Sequence, residues 1–303
     1  MRTLGDSLEC MNGHVFPVVD GIPIMLRDDV SPTHGAIAKS LAEVRENRVD
    51  ELRVEIEANG IDPVVQVVIG ATCGHLYQPL IGKLRQYPIP QIRLPRGRGE
   101  TCLDVGCSWG RWTIAAARQG YKTVGIDPDL GTVLAAQRIA TQLGVDASYV
   151  VGDARYLPFA KQSFDKVISY SVLQHFSRDD VRLALGAIAQ TLKTDGLSTV
   201  QMPNAYGVRS TFHRVRNRSP REFDVRYWTP QELTAEFEAT IGPSKLEIDG
   251  FFGLGIQSSD LKMLPMRYKL IVVTSSALRK MAKLFPVMLY VADSLYVVSS
   301  RAS

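Results

Sequence analysis

From residue 100 onward, short apolar runs alternate with stretches whose apolar residues recur every three or four positions. TCLDVGC (101–107) predicts a strand and RWTIAAARQG (111–120) a helix stopped by Gly120. KTVGIDPD (122–129) predicts the next strand, and LGTVLAAQRIATQLG (130–144) a helix with Val133, Leu134, Ile139 and Leu143 as its apolar positions. Strands at ASYVVGDA (147–154) and FDKVISYS (164–171) follow, then a helix at 179–196 with Asp179 and Asp180 at its start, then a strand at LSTVQMPN (197–204). This alternation is the pattern of a parallel sheet covered by helices. The regularity then lapses. Residues 205–229 are polar and arginine-rich, while TPQELTAEFEATIG (229–242) carries a Thr cap, a first-position Pro and Glu232, a strong helix start. SKLEIDGFFG (244–253) and SLYVVSS (294–300) predict two last strands. Ahead of the sheet, 36–58 and 62–86 read as helical, and the first thirty residues, with VFPVVDGIPIML, as a small β-turn-β piece.

Composition narrows this picture only a little. A chain of 303 residues, 45% hydrophobic and 22% charged, suits one large α/β domain with appendages. A net charge of +4 permits an anionic partner but falls short of the concentrated excess usual in nucleic-acid binders, so nucleic acid is disfavoured. Cys10, Cys73, Cys102 and Cys107 form no CxxC motif and read as thiols of a reducing compartment, and MRTLGDSLEC has no apolar signal core. Both point to the cytoplasm. The most apolar stretch, 266–292, is broken by Arg267, Lys269, Arg279, Lys280 and Lys283, too often for the roughly 20 apolar residues of a spanning helix.

Candidate chemistry concentrates in LDVGCSWGRW (103–112). Asp104, Gly106, Ser108 and Gly110 occupy alternate positions where a buried strand would gain nothing from small residues, but a ligand lying against bare backbone would. In open parallel sheets ligands bind past the carboxyl ends of the strands, beside helix N-termini that offer free N–H groups. Asp127 ends the second strand in VGIDP, where an acid can accept both hydroxyls of a ribose, and Asp153 ends the third in VVGDAR, placed for an adenine amine. The glycine spacing is D-x-G-x-S-x-G, which departs from the G-x-G-x-x-G of nicotinamide dehydrogenases.

On these residues the chain resembles the class I S-adenosylmethionine-dependent methyltransferases. LDVGCSWG is similar to their first motif, GIDP to the second, GDARYLPF to the third, and SYSVLQHFS with TLKTDG to the fourth and its following turn. The likeness is close over 100–204 and looser beyond. It implies an α/β, doubly wound, mostly parallel seven-stranded Rossmann-like sheet whose final strand is antiparallel, with a small N-terminal β piece and helical additions. It implies S-adenosylmethionine as cofactor, with Asp104, Gly106, Cys107, Ser108 and Gly110 at its methionine part, Asp127 and Pro128 at the ribose, Asp153 and Ala154 at the adenine, and Ser171 nearby. Ser108 stands where the family usually has glycine. LECMNGHVFPVVDGIPIML resembles the end of a zinc-ribbon-like module that accompanies some methyltransferases; Cys10 and His14 alone are too few for a metal, so a metal-free remnant is expected. The expected organisation is a module over 1–32, a helical extension over 33–98 covering the cofactor, and a methyltransferase domain over 99–303 with inserts at 205–228 and 254–293.

A methyl sulfonium is already activated, so a hydroxyl acceptor needs mainly alignment and a base. His175, just after the fourth strand, is the candidate base; His213 is a second, and His75 with Tyr77 a third group. Arg209, Arg214, Arg216 and Arg218, with Tyr77 and Tyr227, are the expected substrate residues, since arginine forks suit phosphate or carboxylate. The expected acceptor is a small molecule, glycan or lipid-linked intermediate methylated on oxygen. An RNA methyltransferase, a quinone or lipid C-methyltransferase and a non-catalytic cofactor-binding partner are the alternatives. The mixed apolar and cationic 266–292 stretch suggests peripheral contact with the inner face of a membrane, or packing on the domain or in a homodimer.

Overall fold

The computed structural model describes residues 2–57, 60–216 and 225–302. Four short antiparallel strands open the chain, paired in order: β1 (Arg2–Leu4), β2 (Ser7–Glu9), β3 (Val15–Val19) and β4 (Ile22–Pro23). Straight after them Ile24 bridges Val151 and the Met25 N–H donates to its carbonyl at 2.7 Å, so the N-terminal piece is tied to an edge of the main sheet.

The helical extension is shorter than its apolar pattern suggests. Instead of one helix over 36–58, α1 (Gly35–Arg45) ends before Asn47, whose φ of +52° cannot continue a helix, and a single 3₁₀ turn follows at Val49–Leu52. Instead of 62–86, α2 (Pro63–Thr72) starts on an Asp62 cap and stops ahead of Gly74, at φ +94°, with a 3₁₀ turn at His75–Leu80 beyond.

The main sheet follows the predicted alternation: β5 (Thr101–Val105), α3 (Arg111–Arg118), β6 (Lys122–Asp127), α4 (Leu130–Gln142), β7 (Ala147–Val151), β8 (Phe164–Ser169), α5 (Arg178–Thr191) and β9 (Leu192–Pro203). Several strands end two or three residues early, and the largest shift is at α5, which stops at Thr191 so that LKTDG belongs to β9, with a register shift against β8 and Asp195 at positive φ. The arginine-rich region holds α6 (Val208–Arg216), and α7 (Pro230–Thr240) begins on the full Thr229–Glu232 capping box. Then come β10 (Ser244–Gly250), α8 (Met266–Met281) inside the second insert, and β11 (Ser294–Ser300).

Seven strands lie in the order β10–β11–β9–β8–β5–β6–β7, with β11 antiparallel to both its neighbours. Strand order reverses between β5 and β8, which opens a crevice at their carboxyl ends. One apolar core joins α2 and α4 to the N-terminal pieces through Val65, Ile69, Leu130 and Ile139; the other joins α5 and α7 to β9 and β11 through Leu185, Ile188, Phe237 and Val297. Among the described residues no helix is long and apolar enough to cross a membrane.

Candidate active site

A cavity of about 1080 Å³ occupies the crevice. Its floor is the turn after β5 (Gly106, Ser108), the end of β6 (Asp127, Pro128), the end of β7 (Gly152, Asp153, Ala154) and the segment after β8 (Tyr170, Ser171, Val172, His175). A wall opposite carries Arg209, His213 and Arg214 from α6, His75 and Gln78 from the 3₁₀ turn after α2, and Gly253–Gly255.

Asp127 is the pivot of the floor. The Ser108 N–H donates to its Oδ2 at 2.9 Å and the Asp129 N–H to Oδ1 at 3.0 Å. Burial nevertheless pushes its carboxyl up to about 7. Asp153 also lines the cavity, but both its oxygens are engaged: Arg155 forks onto them at 2.7–3.2 Å while reaching Asp180 and the Ser31 carbonyl. Ser31 and Ser40 tie the N-terminal extension down, for Ser40 Oγ donates to the Pro128 carbonyl and accepts from the Leu130 N–H.

Four predicted site residues lie elsewhere. Asp104 is 2% exposed and does not reach the cavity; Thr113 Oγ1 donates to it at 2.6 Å, and burial, with the charge of Asp127, raises its carboxyl to about 7. Cys107 is buried, and its thiol is held well above the usual range by that burial. Gly110 is needed for packing: its φ is +79°, and a Cβ there would sit 2.7 Å from the Tyr149 hydroxyl. Tyr77 is fully buried and donates its hydroxyl to Asp260. Gly106 does border the cavity, though its immediate constraint is Val172, whose Cγ2 would lie 2.2 Å from a Cβ.

The predicted substrate residues also divide. Arg209, Arg214 and Tyr227 border the cavity, whereas exposed Arg216 lies over the Phe212 ring. Arg218 lies outside the described residues. Arg209 Nε donates to His213 Nε2 at 3.1 Å and Nη1 donates to the Phe252 carbonyl. Burial first, then the Arg209 charge, lowers the His213 imidazole, and the same causes bring His75 down to about 4. His175 sits in a 3₁₀ turn (Leu173–His175); Arg226 donates to its carbonyl, and the Arg226 N–H to that of Gln174.

Some lining residues carried no signal in the sequence. Thr33, His34, Thr72, Gly74 and Gln78 come from the extension, whose helix breaks were not evident. For Gly253 and Gly255 the available signal is GFFGLG: both have positive φ, and a Cβ on Gly255 would lie 2.5 Å from the Cys73 carbonyl.

Behind the wall, Tyr77 and Arg111 converge on Asp260, with Arg111 Nη2 at 3.1 Å. All three are buried, so extension, α3 and second insert meet at one carboxylate. Asp260→Ala strands the Arg111 charge and is expected to cost about 3–5 kcal/mol, lowering Tm by roughly 10 °C. A calorimetric shift under about 2 °C would show that this junction does not hold the insert.

Cys10 Sγ lies 3.4 Å from His14 Nδ1, and among the described residues no group of three or more His, Cys, Asp or Glu could hold a metal ion.

A seven-stranded sheet with one antiparallel strand, a glycine turn after its first parallel strand and carboxylates closing the next two define a class I, Rossmann-like methyltransferase architecture. Residues 102–196 match the family model described as a methyltransferase domain. The ubiquinone biosynthesis O-methyltransferase of Azorhizobium caulinodans is 31% identical over 150 residues, 47% of this chain and 58% of that protein. Its namesake from Brucella anthropi is 30% identical over 153 residues, 49% and 57% respectively. The chain thus spans a little over half the length of the curated relatives it matches. The matched segment is similar to methyltransferase domains.

Proposed function

We propose that the protein moves the methyl group of S-adenosylmethionine to a hydroxyl oxygen of a small acceptor that carries an acidic group. The observation that carries this reading is one cavity with carboxylates on its floor and guanidinium groups on the wall. The donor set fits the cofactor. Asp127, at the tip of β6 and open to the cavity, suits a ribose diol; the Gly152–Ala154 strip suits the adenine edge, with Asp153 sharing its oxygens with Arg155. Gly106, Ser108 and Ser171 border the remaining floor, where the methionine part would lie. When bound, the cofactor supplies an electrophilic methyl carbon.

The chain's own task is then to hold an acceptor in line and take its proton. Arg209 and Arg214 suit a carboxylate or phosphate on the acceptor. Uncharged His75 and His213 leave their cationic charge unopposed at neutral pH and add hydrogen-bonding positions. The names of the O-methyltransferase relatives agree with an oxygen acceptor and admit a ring bearing hydroxyls, including a quinone precursor. The N-terminal strands act as a metal-free brace on the β7 edge, supported by the Met25–Val151 bond.

The test is transfer of labelled methyl from S-adenosylmethionine into separated pools of acidic small molecules, neutral small molecules and RNA. Label in the acidic pool supports the reading; label confined to RNA overturns it. With an acidic acceptor identified, Arg209→Ala is expected to raise its KM at least about tenfold while cofactor affinity stays constant. An unchanged KM would remove Arg209 from the acceptor site.

A further inference from the structure

A helix laid on a folded domain ordinarily turns its apolar stripe inward. In α6 the stripe points the other way. Val208, Phe212 and Val215 share one face at helical spacing and are 60%, 58% and 67% exposed. The opposite side of the helix carries buried Ser210 together with Arg209, His213 and Arg214, all bordering the cavity. The polar side of this helix serves the protein, and its apolar side is left outward.

A second apolar element is fastened beside it. Asn204 Nδ2 donates to the carbonyls of Leu289, Tyr290 and Ala292 at 2.7–3.2 Å, and the Ser210 N–H donates to Asp293 Oδ1 at 2.9 Å. These bonds anchor the start of α6 to the 3₁₀ turn Pro286–Val291 that follows α8. Around that turn Leu284 and Val287 are 77% and 70% exposed, and Phe285, Tyr290 and Val291 are also exposed. Lys280 and Lys283 stand exposed just before it, and Arg216 at the end of α6.

Charge selects the occupant of this face. Residues 205–216 contain three Lys or Arg and residues 261–292 contain six, and neither segment has an Asp or Glu. A second copy of the chain would set two basic faces against each other. We infer that α6 and the 284–291 turn dock on an anionic phospholipid surface, with α6 lying between the headgroups and the cavity. The apolar side chains enter the headgroup–acyl boundary while the lysines and arginines meet lipid phosphates. This docking rests on exposure and charge and is independent of the methyl-transfer reading.

Co-sedimentation of the full chain with phosphatidylcholine vesicles, with and without phosphatidylglycerol, tests it. Binding is expected to be at least about tenfold tighter to the anionic vesicles and to weaken in high salt. The double variant Phe212→Ser/Phe285→Ser removes two exposed rings, keeps the native circular dichroism, and is expected to bind at least about tenfold more weakly. No vesicle binding, equal binding to both compositions, or anionic binding untouched by the double variant overturns the proposal. A dimer in light scattering that the double variant dissociates, without vesicle binding, also overturns it and assigns the face to a second copy. No methyl transfer is read, so failure here leaves the proposed reaction standing.

Discussion

Asp127→Ala is expected to weaken binding of S-adenosylmethionine and its demethylated product by about a hundredfold or more. Two charge-assisted hydrogen bonds from a diol contribute roughly 1.5–3 kcal/mol each, and a factor of ten corresponds to about 1.4 kcal/mol. The substitution also strips the Ser108 and Asp129 N–H groups of their acceptor, which loosens the turn against which the ligand rests. Calorimetric titration with the demethylated product, which needs no acceptor, measures the effect. An affinity within about threefold of the native value would remove Asp127 from the cofactor site. The same carboxylate gives a pH dependence. Its value of about 7 lies above the ordinary 3.8, so the native state holds a proton that the unfolded chain releases between those limits. The stability cost of ionising it is absent below the ordinary value, grows as pH rises through that window, and is complete above about 7. Ligand affinity runs the opposite way, because the diol donates to the ionised form. Binding is therefore expected to be about tenfold weaker one pH unit below that value than well above it. A flat profile would show that the bound carboxylate does not titrate in this range.

His175→Ala is expected to lower kcat by about a hundredfold and leave cofactor affinity intact. His75, His175 and His213 all border the cavity, and the electrostatics count against two of them as the base. A base whose conjugate acid titrates near 4, as for His75, accepts a proton poorly at neutral pH, and the Arg209 charge depresses His213 as well. His175 stands in the turn shortly after β8, where Arg226 donates to its carbonyl, and it borders the same cavity. Single-turnover rates with the identified acceptor provide the measurement. An unchanged rate would reject His175 as the base and return the role to the acceptor's own ionisation.

The central sheet was legible because its signals are local: apolar runs, helical spacing and a Gly or Asp-Gly stop recur from residue 100 to 204. The extension was misjudged because its helical patterns over 36–58 and 62–86 run on past Asn47 and Gly74, whose positive φ interrupts each of them. Within the site, spacing located the turn but not the direction of each side chain. Asp104 and Asp127 both close strands, yet Asp104 turns inward to Thr113 and only Asp127 reaches the cavity. Tyr77 was visible as an aromatic near the cleft, but its partner Asp260 lies 183 residues away, beyond any local pattern. The α6 helix stayed hidden because its arginines dominate a segment whose three apolar residues are easily discounted.

One stretch of the cavity wall is a close seam of glycine backbone, where Gly253 and Gly255 lie against Gly74 and the His75 ring. A Cβ on Gly74 would meet the Leu254 carbonyl at 2.9 Å, and one on Gly253 the His75 ring at 3.0 Å. The three glycines leave no room for a larger side chain, so substitutions at them would push the wall apart rather than reshape the chamber. Beside it, Val68, Ala71 and Gln78 present side chains that can be exchanged to reshape the cavity. A laboratory wishing to evolve this scaffold toward bulkier acceptors should diversify those α2-side positions and leave the glycine seam alone.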